Sequence, residues 1–286
     1  MRAGRIYPEC VPLVFVLMGM RISGVRMGME KTAFASDFDG TLCESDWVTG
    51  EIRFDPVNMD AIHRYQAAGG LFGICTGRPL SSVLESLEGV LDLDFYIVMT
   101  GAQVLDRDLK VIRERTIERE VAQEIFERYA SRESVMIAVT QTDFVSVRDR
   151  MGLGLPVVPS LDAVNGDLYG VSIECHNNEE AARVVREDLN RRFAGVVEGF
   201  QNRGSVDIVP AGCSKGAGVR LVREALGIDA MAGAGDSYND LTLLLASDVS
   251  YTFDTSPREV RDAATVVVST LSDAIEDFSI RQGGRR

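Results

Sequence analysis

Apolar residues gather in short runs separated by turn formers, and the period of those runs changes twice along the chain. Thr32 to Phe38 is an apolar run that ends in acids, the pattern of a buried strand. Asp55-Pro56 then opens a helix, because Asp is favoured as an N-cap and Pro at the first helical position. Val57, Ala61, Ile62, Tyr65 and Ala68 recur at helical spacing until Gly69-Gly70 stops them. Leu71 to Cys75 is a second apolar strand, followed by Thr76-Gly77-Arg78-Pro79 and another helix, and Phe95 to Met99 is a third. Strand and helix in alternation predict a parallel sheet covered by helices on both faces.

The pattern then shifts. Val104-Leu105 and Val111-Ile112 predict a small hairpin around Asp106 to Lys110, and Val121, Ile125, Phe126 and Tyr129 mark one face of a helix. Val135 to Val139, Phe144 to Val147 and Tyr169 to Cys175 read as strands, and Glu179 to Phe193 as a charged amphipathic helix. After Gly204 the first pattern resumes: a strand at Val206 to Val209, a helix from Ser214 to Leu226 and a strand from Met231 to Ala234. A helix from Asn239 to Ala246, a strand near Val249 to Phe253, a helix from Pro257 and a strand from Thr265 to Val268 follow. The expectation is an α/β protein with a Rossmann-like parallel-sheet core, residues 29-112 and 203-286, and a large inserted α+β cap, residues 113-202. An insertion of about ninety residues is large enough to form a unit of its own. No internal repeat or low-complexity stretch interrupts this picture.

Residues 1-28 stand apart as an extension outside the core. Arg2 and Arg5 precede an apolar run from Cys10 to Met20 that resembles a short signal sequence, although Arg21 and Arg26 follow in place of a cleavage site. Met18, Met20, Met27 and Met29 offer alternative starts. A start upstream of the native one, an export or anchor signal, and a structural arm all remain open.

Composition narrows the function. Of 286 residues 45% are hydrophobic, enough to fill a core, and the formal net charge is -13. Such a surface repels nucleic acid and anionic membranes, which rely on clustered Lys and Arg. Any phosphate site must therefore be made positive locally. Five cysteines without a C-x-x-C pair argue against disulfides and zinc and fit a reducing cytoplasm. Cys43 and Cys75 read as small packed hydrophobes, and His63 and His176, the two histidines, as structural residues.

The densest chemistry lies in Asp37-Phe38-Asp39-Gly40-Thr41-Leu42 at the end of the first strand. Residues i and i+2 share a strand face, so two carboxylates are presented together where parallel sheets bind ligands. One carboxylate can serve as nucleophile and the other as proton donor. Asp92/Asp94 and Asp106/Asp108 repeat the D-x-D spacing without a following Gly and read as solvated turns. Gly235-Asp236-Ser237-Tyr238-Asn239-Asp240 puts two more acids at another strand end, where they can hold a hard cation such as magnesium. Capping of the next helix is the plainer role for Asp240. A cation is needed: unit charges about 4 Å apart repel by roughly 4 kcal/mol at an effective dielectric of 20, and a carboxylate meeting a dianionic phosphate faces about twice that. Thr76 and Gly77 offer a hydroxyl and an approachable backbone N–H. Lys215 opens a helix whose dipole it opposes, so helix stability does not account for it, whereas a bound phosphate does.

Four such segments in order resemble the haloacid dehalogenase superfamily, and the large insertion between Thr76 and Lys215 resembles its Cof-type sugar-phosphate phosphatases. The resemblance covers about residues 33 to 280. It implies a magnesium-dependent phosphomonoesterase acting on a small phosphorylated metabolite, with Asp37 as nucleophile and Asp39 as general acid, then base. It implies that Thr76, Gly77, Arg78, Lys215 and Asn239 contact the substrate. It further implies that Asp37, the carbonyl of Asp39 and Asp236 hold magnesium, with Asp240 on a metal-bound water. Phosphotransfer, as in the related phosphomannomutases, is the alternative within enzymes, and a non-catalytic sugar-phosphate sensor is the alternative outside them. A signalling receiver would need an acidic pair at the first strand, its phosphoacceptor on a middle strand and no large insertion. Two positions depart from the family: Thr100-Gly101-Ala102 stands where Asn-Gly-Ala is common, and Leu241 where Met often follows Asn-Asp. The first puts inherited substrate contacts in doubt.

Overall fold

The structure, a computed structural model, describes residues 30–46, 51–131, 134–149, 152 and 154–283; the N-terminal extension expected over 1-28 lies outside them. Thr32–Ser36 is the middle of an eight-stranded sheet. On one side follow Leu71–Cys75 and Phe95–Val98, and on the other Ala230–Ala234, Val249–Phe253 and Val266–Val268, all parallel. The chain order reverses at Thr32–Ser36, which makes its carboxyl end the switch point where such sheets form a crevice. Gln103–Asp106 and Val111–Glu114 close one edge as an antiparallel hairpin.

Alternation along the central strand sorts the two faces. Ala33 and Ala35 are small, so helices Lys215–Leu226 and Leu241–Ala246 can approach that face, with Val219, Val222 and Leu243 filling the space. Phe34 fills the opposite face, stacked on Phe72 and Tyr251 at 5.9 Å each and meeting Phe278 edge-on at 6.1 Å. Helices Pro56–Ala67 and Leu271–Gly283 pack over it. Asp55 caps the former, accepting from the Val57 N–H at 2.8 Å, and Pro56 sits at its first turn, as expected from sequence.

A second sheet, six-stranded, runs in the order Val157–Val158, Phe144–Val147, Val135–Val139, Gly170–Glu174, Ser205–Pro210, Val197–Asn202. Helices Arg119–Tyr129 and Glu179–Arg192 cover one of its faces, where Ala122, Ile125 and Leu189 meet Met136, Ile173 and Ile208. From the other face Val139 and Val209 join the hydrophobic cluster of the core.

Two expectations are corrected here. The strand foreseen at Val206 to Val209 does not resume the parallel sheet; Ser205–Pro210 pairs antiparallel with Gly170–Glu174 and Val197–Asn202, so the chain returns to the core only after Pro210, not at 203. Asp207 between Val206 and Ile208 explains why: a strand buried on both faces in a parallel sheet runs apolar throughout, whereas polar and apolar positions alternate on a strand with two different faces. On the other side, Val111–Glu114 keeps the core sheet going two residues past 112. The strand Val197–Asn202 and the hairpin Cys43–Ser45 with Ile52–Phe54 have no counterpart in the sequence reading. Among the described residues no helix is long and apolar enough to cross a membrane.

Phe34→Ala empties the centre of the aromatic stack and is expected to cost about 3–5 kcal/mol. Urea unfolding followed by circular dichroism measures it, and a loss below about 1 kcal/mol would mean that the stack does not anchor the sheet.

Candidate active site

Each chemically active segment leaves the carboxyl end of a strand or opens the next helix. Asp37 follows the central strand, with its N–H donating to the Ala234 carbonyl at 2.9 Å, so the ends of two neighbouring strands are tied together. Gly40 turns the chain away at a φ of +81°, and a Cβ there would stand 2.9 Å from both Asp236 carboxylate oxygens. Only glycine permits that approach. Thr41 Oγ1 then donates to Asp236 Oδ1 at 3.2 Å.

Lys215 enters from the opposite side. Ser214 caps its helix through the Ala217 N–H at 3.0 Å, and Gly216 lies so close to the Thr242 carbonyl that a Cβ would stand 2.1 Å away. The ammonium is fully buried and donates to Asp37 Oδ1 at 2.6 Å and to Asp240 Oδ1 at 2.5 Å. The other oxygen of Asp240 accepts from the backbone N–H groups of Asp236 and Ser237, each at 3.0 Å. Asp240 therefore caps a turn with one oxygen, as foreseen, and with the other binds the site lysine, a contact the sequence did not indicate.

Three carboxylates, Asp37, Asp236 and Asp240, bring oxygens within 4.8 Å of one another, and all three residues are buried. Pairs of unit charges about 5 Å apart repel by roughly 3 kcal/mol at an effective dielectric of 20. Burial, then Asp240, pushes the Asp37 carboxyl well above the usual range against the pull of Lys215. Burial and Asp240 likewise push Asp236 up to about 6. Burial alone would lower Lys215, but Asp240 and Asp37 outweigh it and hold the ammonium above its ordinary value. The lysine keeps its proton, and with the Arg203 guanidinium at Asp236 it makes two cationic side chains for three carboxylates. All-oxygen donors with surplus negative charge fit a hard divalent cation.

Thr76 ends the second strand, accepting at Oγ1 from the Arg78 N–H at 3.1 Å. Its backbone carbonyl accepts from the Thr100 N–H at 2.9 Å, and the Arg78 carbonyl from the Met99 N–H at 3.0 Å. Met99, Thr100 and Gly101 are all left-handed, with φ of 49°, 53° and 83°. Asn and Gly adopt that conformation more readily than Thr, which gives a physical meaning to the departure at Thr100. Arg78, expected at the substrate, grips Asp39 with two bonds of 2.8 and 2.7 Å and lies over the Phe38 ring at 4.8 Å. Asp92/Asp94 and Asp106/Asp108 stay apart from the site: Asp94 accepts from the Phe72 N–H, and Asp106 closes its hairpin turn.

Sequence reasoning did not name the residues that the second sheet brings to the site. Arg203 Nη2 donates to Asp236 Oδ2 at 3.1 Å, and Ser237 Oγ to Asn202 Oδ1 at 3.2 Å. Asn239 Nδ2 donates to Asp207 Oδ2 at 3.3 Å. Across the crevice, Ser81 Oγ donates to the Thr142 carbonyl at 2.6 Å. The one available signal was Asp207, a charge inside an apolar alternation. A surface hollow of about 490 Å³ lined by Val83, Leu87, Leu91 and Tyr96 includes none of these residues.

A family model of haloacid dehalogenase-like hydrolases matches residues 34–277. An uncharacterized protein of Mycoplasma capricolum is 27% identical over 235 residues, which is 75% of this chain and 87% of its own. A HAD subclass IIB sugar phosphatase of known structure superposes with a TM-score of 0.70 at 21% identity, over 87% of this chain and 100% of its own. A HAD/COF-like hydrolase of Plasmodium vivax does so with a TM-score of 0.72 at 18% identity, over 89% and 98%. At those identities the superpositions speak for the fold.

The raised Asp236 carboxyl has a consequence for stability. A carboxyl whose folded-state value lies above its unfolded value binds more protons when folded, so stability falls as pH rises through that interval, here from about 4 to about 6. In chelator, Asp236→Asn is expected to melt higher than wild type at pH 7, with the gain shrinking by pH 4. A gain independent of pH, measured by calorimetry, would refute the burial argument.

Proposed function

The chain belongs to the haloacid dehalogenase-like hydrolase family, and from that premise we propose that it is a magnesium-dependent phosphomonoesterase for a small phosphorylated metabolite, a sugar phosphate being the best fit. The observation that carries the proposal is the buried ammonium of Lys215 between Asp37 and Asp240, beside a third carboxylate on the next strand end.

In this reading Asp37 attacks phosphorus through a carboxylate oxygen, and the bond to the leaving oxygen breaks. Asp39 gives that oxygen its proton. Water then attacks the phosphorus of the acyl phosphate while Asp39 takes a proton from it, and the phosphorus–oxygen bond to Asp37 breaks to restore the carboxylate. Arg78 holds both oxygens of the Asp39 carboxylate, and Asp39 gives up one of these bonds to carry the proton it delivers to the leaving oxygen. Lys215 holds Asp37 in place and, with Thr76 and the backbone at Gly77, receives phosphoryl oxygens; Asn239 stands behind them. Asp37, the Asp39 carbonyl and Asp236 would hold magnesium, with Asp240 supporting it, and the bound cation would offset the charge between carboxylates and phosphate.

The inserted sheet serves as a cap. Its contacts at Ser81, Asp236, Ser237 and Asn239 lie on both sides of the crevice, so a closed cap excludes water and leaves room for a small molecule only. A sugar phosphatase with the same fold supports a hydroxyl-rich phosphate as substrate. Among the described residues four cysteines are free and buried, which suits a reducing compartment and the cytoplasm proposed for the protein.

A panel of sugar phosphates, nucleotides and phosphorylated cofactors tests the proposal through release of inorganic phosphate. Turnover should stop in excess chelator and return with magnesium. Full activity in chelator would remove the metal from the account, and isomerisation of a sugar phosphate without phosphate release would replace hydrolysis with phosphotransfer.

A further inference from the structure

The register of the inserted sheet lines up a transverse row of residues. Ser146 pairs with Ile137, Ile137 with Ser172, Ser172 with Asp207, and Asp207 with Phe200. Side chains alternate across a sheet, and the neighbours Met136, Ile173, Val206 and Ile208 fill the insertion's own core. The row therefore belongs to the opposite face, the one from which Val139, Val209 and Phe200 reach the core domain. Asp207 is its one charge, and it stands beside the cradle formed by Thr76 and Gly77. A Cβ on Gly77 would be 3.6 Å from Asp207 Oδ2 and 3.4 Å from Thr100 Oγ1.

Asp207 forms no ion pair with any described residue. Its carboxylate accepts from three neutral side chains, Ser172 Oγ at 3.2 Å, Asn239 Nδ2 at 3.3 Å and Asn202. The bonds from Ser172 and Asn239 are long, and a carboxylate with about four acceptor sites still has room for a further donor. Asn239 is 4% exposed, yet its Oδ1 has no partner. A buried acceptor left unpaired costs free energy, so Asn239 Oδ1, beside the partly exposed Asp207 carboxylate, is complementary to a ligand that brings hydrogen-bond donors. A phosphate brings none and is repelled by the carboxylate, so it belongs on Lys215 and Thr76. The donors must come from the other half of the ester.

We propose that Asp207 and Asn239, aligned by Ser172, form a subsite that reads a hydroxyl group on the alcohol half of the substrate, close to the ester oxygen. The inference rests on the phosphomonoesterase reading and deepens it: the preferred substrates are polyol or sugar phosphates with a free hydroxyl near the ester, and alkyl or aryl phosphates are poor ones. A site whose buried acceptors pair with a substrate hydroxyl discriminates strongly against the analogue that lacks it. Asp207 acts on selectivity and takes no proton in the reaction.

The test is a ratio: kcat/KM for the best sugar phosphate of a hexose and pentose panel, divided by kcat/KM for p-nitrophenyl phosphate. Asp207→Asn is expected to lower it at least tenfold (about 1.4 kcal/mol), and Ser172→Ala several-fold. A merely structural role would lower both activities together and leave the ratio in place, which would overturn the proposal. Where Asp207→Asn does not fold, the wild-type enzyme gives the answer through deoxy analogues of the same sugar phosphate. Removing one hydroxyl near the ester should cost at least tenfold in kcat/KM, and a series in which no deletion matters would overturn the subsite. Wild-type protein that releases no phosphate from any ester, p-nitrophenyl phosphate included, would instead overturn the phosphomonoesterase reading itself.

Discussion

The buried ammonium of Lys215 is the contact on which the site depends. It is sealed from solvent and shared by Asp37 and Asp240, two residues that come from opposite ends of the chain. Removing one member of such a buried group leaves uncompensated charge and costs about 3–5 kcal/mol. Geometry around the lysine is correspondingly tight. Gly216 sits against the Thr242 carbonyl, and Gly101 against the Ser214 carbonyl, where a Cβ would stand 2.2 Å away. Helix, loop and strand end are thereby held in contact at the point where the lysine emerges.

Electrostatics and architecture meet at the same place. The switch point of the parallel sheet puts Asp37 and Asp236 on adjacent strand ends, with Thr76 on the far side of Asp37. The arrangement concentrates three acids against Lys215 and Arg203, and it is this surplus that makes a divalent cation part of the proposed chemistry. A protein with net charge -13 attracts no phosphate over its surface as a whole, so the anion must be held by local groups. The inserted sheet adds Asn202, Arg203 and Asp207, which in the proposed reading meet the rest of the substrate.

Much of this was legible in the sequence because it rests on local rules. Apolar runs marked the parallel strands, Asp55-Pro56 marked a helix start, and acids followed by Gly40 marked a strand end turned into a site. Pairing was less legible. Ser205–Pro210 looks like its parallel neighbours over four residues, and which sheet it joins depends on Gly170–Glu174 and Val197–Asn202, partners that no local pattern names. The same ambiguity hid Asp207, Asn202 and Arg203, whose approach to the site requires the insertion to be folded back on the core. Arg78 shows a different limit. Its position after Thr76-Gly77 was visible, but its bidentate grip on Asp39 is a tertiary contact between two strand ends.

The central claim is that the phosphoryl group passes through the carboxylate of Asp37. Asp39→Asn protein removes the base of the second step while p-nitrophenolate still leaves unaided, so the acyl phosphate should accumulate. A single turnover with ³²P-labelled p-nitrophenyl phosphate and magnesium, quenched in acid and mapped by peptide, reads this directly. The account predicts hydroxylamine-labile label on the peptide that contains Asp37. Phosphate release without labelled protein, or label on any other residue, would contradict it.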